Sequence, residues 1–262
     1  MNRSVILEML RTRVGQFVSG EELGRQLGIS RTAVSKQIQK LRQEGYAVES
    51  TVSQGHRLLR LPDLLRPEEV CPRLTTQILG RELYYFSEIG STNDEAKKRA
   101  VAGCPEGTLV ITETQLGGRG RLSRGWFSPV GKGIWCSAVL RPPFQPQEAP
   151  KCTLMAAVAI NRAIRELTGI PCGIKWPNDI LCNGRKLVGI LTEMSAEMDA
   201  INHIVIGMGI NVNIEAAEIP RELKETATSV LMESGAAVSR IDLFIKVLEC
   251  LEELYLSVKT EG

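Results

Sequence analysis

Two short segments of this chain carry residue types that handle anions. Gly117-Gly118-Arg119-Gly120-Arg121 runs on to Arg124 and Trp126, and Lys175-Trp176-Pro177-Asn178-Asp179 is followed by Lys186 and Gly189. Glycines let backbone amides approach a ligand and turn onto a negative group. Arginines add fixed charge and forked donors for phosphate or carboxylate. Together the segments point to an enzyme that handles a nucleotide phosphate and a carboxylate. Neither the phosphate-loop spacing Gly-x-x-x-x-Gly-Lys-Ser/Thr nor the dinucleotide spacing Gly-x-Gly-x-x-Gly fits here. Taken alone, the first segment also reads as a surface loop or an arginine patch for nucleic acid. Trp126 reads either as a base-stacking residue or as a core indole.

The second segment has a geometric reading. Asn183-Gly184 between apolar runs is a strong signal for a two-residue hairpin turn. Such a turn pairs Cys182 with Arg185 and Leu181 with Lys186, and sets Asp179 opposite Val188. Asp179, Leu181, Lys186 and Val188 then share one face. Asp179 and Lys186 become diagonal neighbours about 7–8 Å apart at the backbone. That gap admits a phosphate or a metal, and the alternative is a cross-strand ion pair. Asn178 and Asp179 are hard oxygen donors of the kind that suit Mg²⁺. Ser91 and Thr92 stand at a helix start, where free amides and hydroxyls either cap the helix or bind a polar group. Gly207-Met208-Gly209-Ile210-Asn211-Val212-Asn213 ends a strand with close-approach glycines and two amides.

These residues need a scaffold. The pattern predicts a strand at 83–86, a helix from the capping box Thr92-Asn93-Asp94-Glu95 to about Ala102, and strands at 107–113 and 133–140. A long helix over 151–167, three strands within 173–193 and 201–213, and a helix over 239–257 follow. This order is α+β, with a mixed, largely antiparallel sheet. Upstream, an amphipathic stretch over 4–16 precedes Ser19-Gly20-Glu21-Glu22, a second capping box. The turn Gly28-Ile29-Ser30 leads to a helix from Arg31 to about Glu44, and the pair matches a helix-turn-helix. Arg31, Thr32, Ser35, Lys36, Gln39 and Lys40 on that second helix are donors for phosphates and base edges. Strands at 46–50 and 56–59 make a wing, with His56 a surface or packing residue. A small helical protein-interaction domain with a basic face is the alternative. Leu61-Pro62-Asp63-Leu64-Leu65-Arg66-Pro67 marks the boundary. The expected organisation is a winged helix over 1–62, a linker over 63–68 and a catalytic domain over 69–262.

Composition limits the remaining classes. The net charge is +2, but residues 1–65 hold ten Lys/Arg against six Asp/Glu, so the basic excess lies at the N-terminus, where a DNA-binding element could use it, rather than across the chain. Only His56 and His203 are present, which disfavours a histidine triad or a histidine-rich metal site. The seven cysteines include no Cys-x-x-Cys and read as buried free thiols in a reducing, cytoplasmic compartment. No signal peptide and no membrane span is expected.

In order, Ser91-Thr92-Asn93, Gln115 with Gly118-Arg119-Gly120-Arg121, Lys175-Trp176-Pro177-Asn178-Asp179, Lys186-Leu187-Val188-Gly189 and Gly209-Ile210-Asn211 resemble the biotin–protein ligases. The N-terminal winged helix resembles the bifunctional type that also represses the biotin operon. The resemblance implies a class II synthetase-like catalytic fold and an ATP-dependent reaction through biotinyl-5′-AMP. The biotinyl group then passes to a lysine of a biotin carboxyl carrier protein. It implies that Ser91, Thr92, Asn93, Gln115, Gly118, Arg119, Gly120, Arg121, Lys186 and Gly189 hold biotin. It assigns Arg124, Trp126, Asn178, Asp179 and Asn211 to ATP, with Asn178 and Asp179 near Mg²⁺. Lys186, Arg119, Arg121 and Asp179 would carry catalysis, with no tightly bound prosthetic group. Operator DNA and a ligand-promoted homodimer are the other implied partners.

Two departures stand out. Ser123 occupies a place where the family often has glycine, and the chain stops at Gly262, where the family usually continues into a small β-barrel. That second departure supports an alternative, a ligand-sensing repressor without full ligase activity. A lipoate-type ligase and a plain winged-helix interaction module are further alternatives, and the latter leaves all five motifs unexplained.

Overall fold

The computed structural model describes residues 2–60, 63–197 and 200–261. The chain divides between residues 63 and 64 into two compact units.

In the first unit α1 (Asn2–Arg11), α2 (Gly20–Leu27) and α3 (Arg31–Gln43) precede a hairpin of β1 (Ala47–Thr51) and β2 (Gly55–Arg60). Ile6, Leu10, Leu23, Val34, Ile38 and Leu58 form its core. Ser19 and Ser30 cap α2 and α3 by accepting the amides of Glu22 and Ala33. The Glu22 carboxylate, expected to complete a capping box, instead meets Arg13 at 2.8 Å. The first helix also ends earlier than its pattern suggested, giving way to a turn in which Gly15 takes a φ of 82°.

The second unit is built on a seven-stranded sheet. Its strands are β3 (Leu83–Phe86), β4 (Leu109–Thr112), β5 (Gly133–Leu140), β6 (Gly173–Lys175), β7 (Asp179–Cys182), β8 (Arg185–Glu197) and β9 (Ala200–Asn211). They lie in the order β3-β4-β5-β9-β8-β7-β6, with β3–β4 parallel and the other pairs antiparallel. Where three strands were expected over 173–213, four form. Trp176-Pro177-Asn178 makes a turn with a cis Trp176–Pro177 bond, and Lys175 pairs with Asp179 across it. The helices are α4 (Pro67–Val70), α5 (Thr92–Val101), α6 (Pro150–Thr168), α7 (Val230–Ser234) and α8 (Arg240–Glu261). Residues 64–68, read as linker, pack into this unit: Leu65 is fully buried and its amide donates to Glu113.

Alternation along the strands separates the two faces. Ile134, Cys136 and Ala138 of β5 and Ile206, Met208 and Ile210 of β9 join Ile160, Phe244 and Leu248 in the main core, beneath α6 and α8. The residues between them face the other way. Val139 and Val205 pack with Ala96 and Ala100 of α5, while Trp135 packs with Ile214 and Ile219. No helix among the described residues is long and apolar enough to cross a membrane. All seven cysteines are free, but Cys71 is exposed, against the expectation of burial, because it begins a single surface turn. Burial pushes the Cys136 and Cys152 thiols up to about 12.

Candidate active site and DNA-facing helix

Beyond α5 the sheet face bearing Gly207 and Gly209 forms the floor of a cavity of about 650 Å³. Its size suits a small-molecule site. The glycines have a steric reason. Gly189 and Gly209 are register partners on β8 and β9, and the Trp126 ring lies on both. A Cβ at either position would meet that ring at 2.6 Å. Trp126 therefore lies against the floor of the cavity and packs edge-on to Trp135, with ring centroids 6.3 Å apart. Its indole N–H is buried and has no hydrogen-bond partner among the described residues.

The Asn183-Gly184 turn forms as expected, with φ of 47° and 78°, but the register beyond it differs. Leu181 pairs with Lys186, Ile180 with Val188 and Asp179 with Gly189. Leu187 is thus an extra residue, a β-bulge, and it reverses the alternation. Val188 turns into the main core, while Lys186 and Gly189 line the cavity with Asp179 and Leu181. The strap at 226–228 holds the bulge open. The Lys186 amide donates to Thr226 O at 2.7 Å, and the Thr228 amide donates to Lys186 O at 2.9 Å. Lys186 Nζ lies 2.7 Å from Asp179 Oδ1, so the expected gap is closed by a direct ion pair. That contact lacks hydrogen-bond alignment, and Oδ1 is buried without a hydrogen-bond donor. Lys186 Nζ also lies 5.2 Å from the Trp126 ring centroid.

Ser91, rather than Thr92, caps α5 and accepts the Asp94 amide. Thr92 then becomes the first helical residue, and its amide and hydroxyl both donate to Gln115 Oε1, at 2.9 and 3.1 Å. Asn93 is committed within the protein. Its Nδ2 donates to Leu191 O and Glu193, and its Oδ1 accepts from Ser137. In the loop, Trp126 N donates to Gly118 O and Gly120 N to Arg124 O, which closes residues 118–126 into a compact turn. Arg119 makes a paired contact with Asp94, one arm at 2.7 Å. Arg121 donates to Asn178 Oδ1 at 3.3 Å, and Asn178 Nδ2 donates to Ile190 O. Asn211 Nδ2 is bound to Thr228 O. Among the lining residues Arg119, Arg121, Arg124, Lys175 and Lys186 are cationic, and Asp179 is the only carboxylate. This excess favours an anionic ligand. Sequence reading missed Glu193, which also faces Arg119 at 3.8 Å, and the strap at 226–228. Neither carries a local motif.

In the first unit, Arg31, Thr32, Ser35, Lys36, Gln39 and Lys40 are all exposed, while Val34, Ile38 and Leu41 of the same helix are buried. Arg31 is paired with Glu21 at 2.5 Å. His56 bonds Ser50 Oγ through Nδ1 at 2.7 Å, and burial, with Arg42 nearby, lowers its pKa.

Residues 2–57 match a helix-turn-helix domain, and residues 85–211 match the biotin/lipoate A/B protein ligase family. Over 260 residues the chain is 44% identical to the bifunctional ligase/repressor BirA of Bacillus subtilis, covering 99% of this chain and 80% of that protein. The chain belongs to this biotin/lipoate ligase family. It is also 33% identical to the bifunctional ligase/repressor BirA of Escherichia coli, over 92% of this chain and 74% of that one. A solved ligase of the family, the biotin protein ligase from Aquifex aeolicus in complex with biotin and ATP, has a TM-score of 0.60 at 31% identity. That likeness covers 70% of this chain and 73% of that one. Within this family fold, no group of three or more His, Cys, Asp or Glu able to hold a metal occurs among the described residues.

Proposed function

We propose that this chain is a biotin–protein ligase that joins biotin to ATP and then to a lysine of a biotin carboxyl carrier protein, and that it doubles as a DNA-binding repressor. The observation that carries the ligase reading is the cavity with five cations, one carboxylate and a glycine floor. Adenylation brings a carboxylate against a triphosphate and builds negative charge at phosphorus. Positioned cations lower that barrier. Lys186, fixed by the bulge and strap, is assigned to the carboxylate–phosphate centre, with Arg119 and Arg121 closing over it. Ser91, Thr92, Gln115, Gly118, Gly120 and Gly189 frame the biotin, and Asn93 holds α5 against the sheet beside it. Trp126, Arg124 and Asn211 are assigned to the nucleotide. In the second step the lysine ε-amine attacks the biotinyl carbonyl carbon, AMP leaves, and the amine proton passes to Asp179, the one carboxylate among the described lining residues.

One carboxylate does not make a protein cage for Mg²⁺. The ion fits as part of the nucleotide substrate, with Asp179 and the Asn178 amide oxygen as the available protein donors. The repressor reading rests on α3, whose exposed donors suit a major groove. A homodimer is supported by β8, which pairs with β7 only as far as Gly189. Thr192–Glu197 have no strand partner on that side among the described residues, an edge suited to a second copy. The seven free cysteines suit the cytoplasm.

The test is ATP- and Mg²⁺-dependent transfer of biotin to a carrier-domain lysine by the native chain and by Lys186→Ala. Transfer is expected from the native chain and a loss of at least about a hundredfold from the variant. Biotin binding without transfer by the native chain would favour the ligand-sensing repressor instead.

A further inference from the structure

The turn between β6 and β7 carries a large side chain that the cavity does not use. Trp176 is 78% exposed. Its neighbours Lys175, Asn178 and Asp179 line the cavity, but Trp176 does not. An indole left in water is unfavourable unless something else covers it, and Trp is among the residues most enriched at the energetic centres of interfaces. Nothing within the described chain buries this one.

A second bare apolar group stands on the same rim. Leu122, at the tip of the 118–126 loop, is 85% exposed. The contact from Arg121 to Asn178 ties that loop tip to the Trp176 turn. Cations lie around the two apolar groups: Lys175, Arg121 and Arg124 are exposed and have no ion-pair partner among the described residues. Arg119 and Lys186, by contrast, are ion-paired, to Asp94 and Asp179. The rim therefore offers an apolar anchor flanked by unneutralised positive charge, continuous with the cavity mouth.

We propose that Trp176 is the docking anchor for the protein acceptor: a folded domain that presents its lysine on a protruding turn beside apolar and acidic side chains. This rests on the ligase reading. A folded acceptor cannot enter a cavity of about 650 Å³, so only its lysine passes the mouth and its surface must lie on the rim. Small-molecule substrates meet the cations that line the cavity mouth but not Trp176, which lies outside that lining. Trp176 thus serves acceptor recognition and has no part in forming the adenylate.

The experiment compares the native chain with Trp176→Ala in two assays. One measures biotin hydroxamate formed with hydroxylamine, a small acceptor that reports adenylate formation alone. The other measures transfer to a purified biotin carboxyl carrier domain. The variant is expected to form hydroxamate within about twofold of the native rate, while its KM for the carrier domain rises about thirtyfold, the scale of an interface anchor. The native KM for the carrier domain is also expected to rise with salt, as the cationic rim requires. An unchanged KM in the variant would overturn the proposal. So would a parallel fall in hydroxamate, which would assign Trp176 to adenylation. No hydroxamate from the native chain would overturn the ligase reading and the docking proposal with it.

Discussion

Replacing Asp94 with asparagine tests what the arginine loop does on binding. Arg119 holds Asp94 through both terminal nitrogens, and under the proposed mechanism it moves from that carboxylate onto the substrate anions. The ion pair then competes with binding. The two side chains are 35% and 49% exposed, which puts the pair at about 0.5–1 kcal/mol. That corresponds to a factor of about two to five in an equilibrium constant. Asparagine keeps the side-chain shape, and the cap is kept because Ser91 accepts the backbone amide of residue 94. Lys97 retains its 2.9 Å contact with Glu193. Asp94→Asn is therefore expected to tighten biotin binding about two- to fivefold by titration calorimetry near neutral pH. The pH dependence has a definite sign. The hydrogen bond from Arg119 holds the Asp94 carboxyl below its ordinary value of 3.8. A lowered carboxylate keeps its pair at every pH above that ordinary value and loses it as pH falls through the lowered one. The difference between native and variant protein should stay constant from neutral pH down to about 4 and close below it. Weaker or unchanged binding by the variant would refute the competition, and would mean that Arg119 meets the ligand while still held by Asp94.

Two further outcomes are expected. Arg240→Met leaves the buried Glu113 carboxylate without the guanidinium 2.7 Å away. Breaking a buried pair costs about 3–5 kcal/mol, so calorimetry should show Tm falling by about 6–20 °C, and a shift under about 2 °C would overturn this. In the first unit, Lys36→Ala with Lys40→Ala is expected to weaken binding to duplex DNA and to flatten its salt dependence by about one logarithmic unit per lysine. An unchanged salt slope would remove both lysines from the phosphate contacts.

Much of the scaffold was legible because its signals are local. Ser19 and Ser30 are caps because a hydroxyl one turn before an apolar run has an orphan amide to accept. Asn183-Gly184 is a turn because both residues tolerate positive φ. The helices at 150–168 and 240–261 lie where apolar spacing predicts them, give or take a few residues at each end. At the start of α5 the reading slipped by one residue. Ser91 and Thr92 both carry a hydroxyl able to cap, and only the path of the chain past Gln115 selects Ser91. The four strands over 173–211 were read as three, because the turn at Trp176–Asn178 interrupts a run whose flanks both look extended.

The sequence by itself determined the residue types at the site, the order of the elements and the division into a helix-turn-helix followed by an α+β domain. These depend on short-range periodicity and on side-chain chemistry, which a linear chain displays. Tertiary structure alone decided how those residues meet. The bulge at Leu187 moves Val188 to the core and Lys186 to the cavity, and an extra residue leaves no mark in an apolar run. Gly189 and Gly209 are glycines because Trp126, more than sixty residues from the nearer one, lies on both. Asp94, Glu193 and the strap at 226–228 set the resting positions of Arg119 and Lys186 across separations that no local pattern encodes. Long-range pairing is chosen by the packing of the whole sheet, and that choice made one charged, glycine-floored cavity from segments spread over much of the chain.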